Sequence, residues 1–399
     1  MTPPDLERPR LAPLEPQPVT LGDGTPGVLL RDPLGVLPRE PVVTAPAWVV
    51  LAHCDGNRSL DDIHEALLRL GAGAQRGVVA GLIRQARDAG ILEGAAYAIL
   101  RERAVADYRR APHRPSACAG TSYPADAAAL RRELDGYVAA ASAAATPRTK
   151  AARPATVVVS PHIDFRRGGI AYAHAWTAAA RGCDAELFVV FGTAHASPPR
   201  LFTLTRQSYA TPLGELPTDV GLVDRLAAEL GAGEVLRDEL CHRGEHSCEL
   251  PMVWLRHVVD RPFRVLPVLC SSISHLEDPA PSTDRFLGAL RRAVAGRKVC
   301  YVAGADLAHV GPQFGDARPP SPGELAALAA QDRRTLSFLD SGDAAGFHRD
   351  AGRDDRRRRL CGTAPIYAAM RAAGRGARLI HYGQWSDAID SVSFAAAIG

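Results

Sequence analysis

Four short apolar runs restrict the fold more than anything else in this chain: VVVS at 157–160, LFVVFG at 187–192, VLPVLC at 265–270 and VCYVAG at 299–304. They are too short for buried helices and lack the in–out alternation of a half-exposed strand, so they fit strands covered on both faces. The stretches between them, among them IAYAHAWTAAARG, LVDRLAAELG, CELPMVWLRHVV and STDRFLGALRRAVAG, carry helical spacing. Buried strands alternating with amphipathic helices predict an α/β domain, with helices on both faces of a parallel or mixed sheet. The closing stretch ARLIHYGQWSDAIDSVSFAAAIG adds strands to it.

Three of these strands run within a few residues into a histidine: His162 in VVVSPHIDFRRGG, His195 in LFVVFGTAHAS and His309 in VCYVAGADLAHVG. In an open α/β sheet, ligands bind outside the carboxyl ends of the strands. If the three strands are neighbours, the three imidazoles converge there. His246 in RGEHSCELP is a fourth candidate, flanked by Glu245 and Glu249; four apart, those carboxylates share a helical face with His246 turned aside. Asp306, just before His309, is either a ligand or an acceptor that orients an imidazole. Histidines joined by a carboxylate or a thiolate form a donor set for a divalent transition metal with open positions for substrate or dioxygen. Glu245 and Asp306 have a plainer alternative as acidic residues at helix starts. Arg166 and Arg167 would hold a carboxylate or phosphate of a substrate, or are simply solvated. The run RDDRRRRL, 353–360, reads as a solvated charge run.

The chain has 399 residues, 46% hydrophobic and 23% charged, and a formal net charge of +3. That length suggests two to three domains, and so small a charge gives no reason to expect a nucleic-acid or membrane-surface partner. No apolar run reaches the roughly 18–20 residues of a membrane span, and the N-terminus lacks the apolar core of a secretory signal. Eight cysteines without a CxxC pair suit a reducing cytoplasm.

Residues 1–20 are proline-rich and read as extended. After short apolar runs, NRSLDDIHEALLRLG predicts a helix capped by Ser59 with Asp62, its face formed by Ile63, Ala66, Leu67 and Leu70. A second helix places Val78, Val79, Leu82, Ile83 and Ala86 on one face, and ILEG follows as a short strand. Residues 21–95 thus read as a small winged-helix-like α+β domain. Its second helix carries Arg76, Arg84 and Arg87 against Asp88, too little for a DNA-reading helix. A charged helix at 96–112 links it to the α/β domain at 113–399.

Two resemblances follow from these residues. The run from CDGNRSLDDI to GILEG resembles PqqD-like peptide-recognition modules, which implies a peptide or protein partner. The landmarks SYPAD, SPHIDFRRGGIAYAHAW, FGTAHAS, EHSCELPM, LPVLCSS, GADLAHVG, CGTAPIYAAM and SVSFAAAI, in that order, resemble the Memo family, whose bacterial members are labelled AmmeMemoRadiSam system protein B. That resemblance implies a sandwich like the class III non-heme iron dioxygenases. It implies metal ligands at His162 and His195, a pocket histidine at His246 and a final histidine at His309, which is a further metal or catalytic candidate. It also implies a thiol just before that last histidine, where this chain has Ala308; the family's Cys-Gly pair is kept as Cys361-Gly362, either a buried structural thiol or part of the site. The implied cofactor is a divalent transition metal, iron first, with copper or zinc as alternatives. The implied function is a metal-dependent redox enzyme working with radical-SAM and AMMECR-like partners on a peptide or small molecule. The alternatives are a non-catalytic metal- or peptide-binding protein of the same system and a metal-dependent hydrolase.

Overall fold

The computed structural model describes residues 8–71, 73, 75–143, 154–353 and 355–399. They form two compact units, 1–111 and 112–399.

In the first unit, strands β1 (Glu15–Thr20), β2 (Pro26–Arg31) and β3 (Val42–Thr44) form an antiparallel sheet with β2 in the middle. The proline-rich start therefore ends in a paired strand. Helix α1 (Ala45–Leu51) follows, started by Thr44 as its cap with Pro46 in the first turn; a Pro there needs no N–H partner. Helix α2 (Leu60–Arg69) begins with the expected capping box between Ser59 and Asp62. In α2 and α3 (Arg76–Asp88) the buried face is Ile63, Leu67, Val79, Ile83 and Ala86, whereas Leu70 and Val78 are exposed. Both sit at helix ends, beyond the reach of the packed face. The ILEG segment makes no strand; Leu92 forms a single bridge to Leu11. Helix α4 (Ala95–Arg110) closes this unit rather than standing apart as a linker.

The second unit opens with α5 (Ala127–Ala143) and then alternates: β4 (Val157–Ser160), α6 (Phe165–Ala180), β5 (Leu187–Thr193), β6 (Phe202–Leu204), α7 (Val220–Leu230), a short α8 (Ala232–Val235), α9 (His246–Val258), β7 (Arg264–Cys270), α10 (Ala280–Ala293), β8 (Val299–Gly304) and β9 (Asp306–Val310). Helices α11 (Pro322–Ser341), α12 (Ala344–Gly352), α13 (Asp355–Arg358) and α14 (Thr363–Ala373) precede the hairpin of β10 (Arg378–Ser386) and β11 (Ser391–Ile398). The sheet runs β10-β11-β4-β8-β5-β7-β6, and β9 also pairs with β11. Its centre, β4-β8-β5-β7, is parallel, as the fully apolar runs require; the flanking pairs are antiparallel.

Register brings the strand ends level. Ser160 of β4 and Gly192 of β5 both align with Gly304 of β8 between them. His162, His195 and Asp306 each stand two residues past their strand's last residue, so three strand ends deliver side chains to one place. His162 and His195 lie close together past the carboxyl ends of the parallel strands, where ligands bind in open α/β sheets. The charge run at 353–360 departs from its reading, because Arg358 is buried against Asp332 at 3.2 Å and Arg359 pairs with Asp316.

Candidate metal centre

His162 is buried, and its Nδ1 lies 2.9 Å from the Gly304 carbonyl oxygen. A carbonyl only accepts, so Nδ1 carries the proton and Nε2 the lone pair. Burial, and then the neighbouring His195, pull its pKa down to about 3, so the ring stays neutral. Asp306 holds the loop in place by accepting from the backbone N–H groups of His162 at 2.9 Å and Ile163 at 3.2 Å. Its other oxygen is 3.7 Å from His162 Nε2. Burial pushes the Asp306 carboxyl upward, against the pull of His309 and those N–H groups.

His195 is oriented by Glu245: its Nδ1 is 2.9 Å from Oε1, and its backbone N–H donates to Oε2 at 2.9 Å. The Glu245 carboxylate also accepts from the Ser247 N–H at 2.9 Å and lies 3.2 Å from His246 Nδ1. Burial opposes its charge, yet His195, His246 and Ser247 together hold it well below the usual carboxylate range. Glu245 is thus the N-cap of α9 and the hub of two imidazoles at once. The expectation that Glu245 and Glu249 share a face with His246 turned aside fails for that reason. A cap residue has extended backbone, here φ −75° and ψ 127°, so its side chain leaves the helical progression. His246 faces the site, its ring stacked on His195 at 4.6 Å and edge-on to His162 at 5.3 Å. Burial lowers its pKa to about 4 despite Glu245.

The third member of this candidate group is Cys361, in the loop before α14. Its Sγ is 3.3 Å from His162 Nε2, and donor atoms of His162, His195 and Cys361 all lie within 4.8 Å of one another. A sulfur and a nitrogen bound to one ion at about 2.3 and 2.1 Å stand at most roughly 4.4 Å apart, so this pair fits one metal. His195, Glu245 and His246 form an overlapping group within the same limit. There the two Nδ1 atoms meet a carboxylate that also caps a helix, which is how a metal-binding imidazole is oriented from behind.

Other expectations land elsewhere. The position before the last histidine, Ala308, is buried among Leu328, Ala351 and Leu360, so a thiol there would sit in an apolar cluster. The thiol in the metal-capable group is that of Cys361. His309 lies on β9, with Nδ1 3.1 Å from its own Leu307 carbonyl and its ring edge-on to Phe314 at 5.0 Å; it is in neither metal-capable group. Asp306 begins a strand rather than capping a helix. Arg166 is exposed, its guanidinium 3.5 Å from the Thr121 carbonyl, while Arg167 pairs with Asp164 and lies over Trp385.

Comparison with known proteins shows the family of the second unit. The family model described as "Memo-like protein" matches residues 114–398. The chain belongs to the Memo family. It is 27% identical over 262 residues to a MEMO1 family protein of Methanothermobacter thermautotrophicus, covering 65% of this chain and 87% of that one. A MEMO1 family protein of Methanosarcina mazei is 26% identical over 57% of this chain and 78% of its own length. One from Thermus thermophilus is 31% identical over 57% of this chain and 63% of its own. The Memo match begins at Arg114, so the first unit lies outside it.

Proposed function

We propose that the Memo unit holds one divalent transition metal on His162, His195 and Cys361 and serves as a metal-dependent oxidoreductase. The observation that carries this is the convergence of two imidazoles and a thiol, each imidazole with an acceptor set against its Nδ1. Iron is the proposed metal; the thiol makes zinc and copper(I) the competitors, and manganese or magnesium poor ones. When bound with open positions, such an ion supplies redox capacity and Lewis acidity toward oxygen-bearing groups. His246 and His309 are both depressed by burial, so at neutral pH they enter as proton acceptors for a phenolic or similar hydroxyl. The dioxygenase-like fold implied by the Memo resemblance supports the same reading.

The test is oxygen uptake by iron-loaded protein with a panel of catechols and phenols. Uptake that disappears in His246→Ala is expected. Bound iron with no uptake from any member would favour the alternative, a non-catalytic metal-binding partner protein. We also propose that the first unit receives a peptide or protein and that the chain works with radical-SAM and AMMECR-like proteins. Retention of a radical-SAM partner on immobilised residues 1–111 checks this; retention only by residues 112–399 contradicts it.

A further inference from the structure

We infer that Arg114 and Glu249, neither of which offers a ligand atom to a metal-capable group, are positioning residues for the group of His162, His195 and Cys361; this rests on the metal reading above. Both side chains are wholly buried and paired with each other. The guanidinium of Arg114 also donates to three backbone carbonyls: Nε to His242 at 2.7 Å, Nη2 to Glu245 at 2.7 Å and Nη1 to Pro115 at 3.0 Å. Its plane lies 4.5 Å from the centre of the Tyr209 ring. Tyr209 in turn pairs through its hydroxyl with His242 Nδ1 at 2.8 Å. Glu249 is equally occupied. It accepts from the N–H groups of Ala117 and Cys118, both at 2.9 Å, and from the Tyr123 hydroxyl.

Stability alone does not account for this pair, because apolar residues of similar volume often replace a buried ion pair without loss. What apolar residues cannot supply is a rigid fork that fixes several carbonyls at set angles. One of those carbonyls belongs to Glu245, whose carboxylate orients His195 and His246. Another belongs to His242, at the turn leading into it. Glu249, one turn along α9, locks the segment 117–123 to the same fork. The residue whose carboxylate orients the imidazoles is therefore held by its backbone carbonyl to the fork. A lysine at 114 keeps the charge and loses the fork.

Competitive titration of cobalt(II) against a chromophoric chelator, with the visible spectrum of the cobalt-loaded protein, tests this. The proteins compared are wild type, His162→Ala, Arg114→Lys, Glu249→Gln and Leu226→Ala, the last a remote core variant in α7 that reports loss of stability alone. Arg114→Lys and Glu249→Gln are expected to bind cobalt roughly 10–100-fold more weakly with an altered spectrum. Leu226→Ala should keep wild-type affinity and spectrum below its melting range. If Arg114→Lys fails to fold, the isosteric Glu249→Gln carries the same test. Wild-type affinity and spectrum in the folded variants would overturn the positioning role and leave the metal site standing. Undiminished cobalt binding in His162→Ala would instead overturn the metal reading and this inference with it.

Discussion

A thiol beside an imidazole lone pair decides the softness of the site. Cys361 is half-buried, and desolvation of its sulfur, then Asp306, push its thiol pKa well up, so in the absence of a cation it stays protonated and donates to His162 Nε2. Cys361→Ser removes the soft donor and keeps the volume. Zinc and copper(I) affinity should then fall against manganese by more than the roughly 10–100-fold of an outer-shell change, as competitive metal titration under reducing conditions reads. Ala308→Cys should change none of these affinities, since that side chain packs with Leu328, Ala351 and Leu360. The contrast shows what was legible at this scale. His162 and His195 were readable because each follows directly on a buried strand. Cys361 was not placed in the ligand set, because nothing local ties it to His162, 199 residues away. His309 lies farther along: β8 ends at Gly304 and the chain resumes after one residue as β9 against β11, which leaves the histidine outside both metal-capable groups.

At the scale of elements, α9 sits so close to the sheet that two strand positions admit only glycine. A Cβ at Gly304 would meet the Ser247 carbonyl oxygen at 2.1 Å, and one at Gly192 would meet Ser247 Oγ at 2.5 Å. Pro251 lacks the N–H that Ser247 would otherwise receive within the helix, so that carbonyl is turned to the sheet without competition. Gly304→Ala should destabilise by about 1–3 kcal/mol through overpacking and weaken metal binding together, because it displaces the turn that carries Glu245 and His246. Gly136→Ala is the contrasting case. It is helical with nothing within 4 Å, so thermal unfolding should show a gain of about 0.5–1 kcal/mol. Equal effects of the two substitutions would contradict this account of the packing.

Helices α11 and α12 are joined through Asp350, which accepts from Arg334 Nε at 3.0 Å and the Thr335 hydroxyl at 2.6 Å. Burial raises the Asp350 carboxyl, but Thr335 and Arg334 outweigh it and leave the folded pKa below the ordinary 3.8. A depressed carboxylate adds stability above its unfolded pKa and loses it as pH falls through the folded value. Asp350→Asn should therefore cost about 1–3 kcal/mol near pH 6, the difference from wild type closing below about pH 4. Denaturant unfolding at the two pH values checks the sign; a gap that widens in acid would reverse it.

For the whole molecule, the alternation of strands and helices gave the parallel centre of the sheet, and the closing stretch gave strands that pair as a hairpin. The first unit was less legible. Its sheet is built from short strands in proline-rich sequence, and ILEG, which has the composition of a strand, finds only one bridging partner. The division at 111/112 leaves Arg114 inside the Memo unit. A chain of residues 112–399 should fold cooperatively and bind metal as the full chain does. One beginning at Ser116 should lose metal affinity, because it lacks the guanidinium that holds the Glu245 carbonyl. Equal binding by both would place the support for Glu245 elsewhere.

The central claim, that the strand-end histidines and Cys361 form one metal centre, is tested most directly by elemental analysis of wild type and His162→Ala purified without chelator or affinity metal. About one equivalent of transition metal per chain in wild type, and little in the folded variant, is the predicted result. The same metal at the same occupancy in both would mean that His162 is not a ligand and that the crevice is organised for something else.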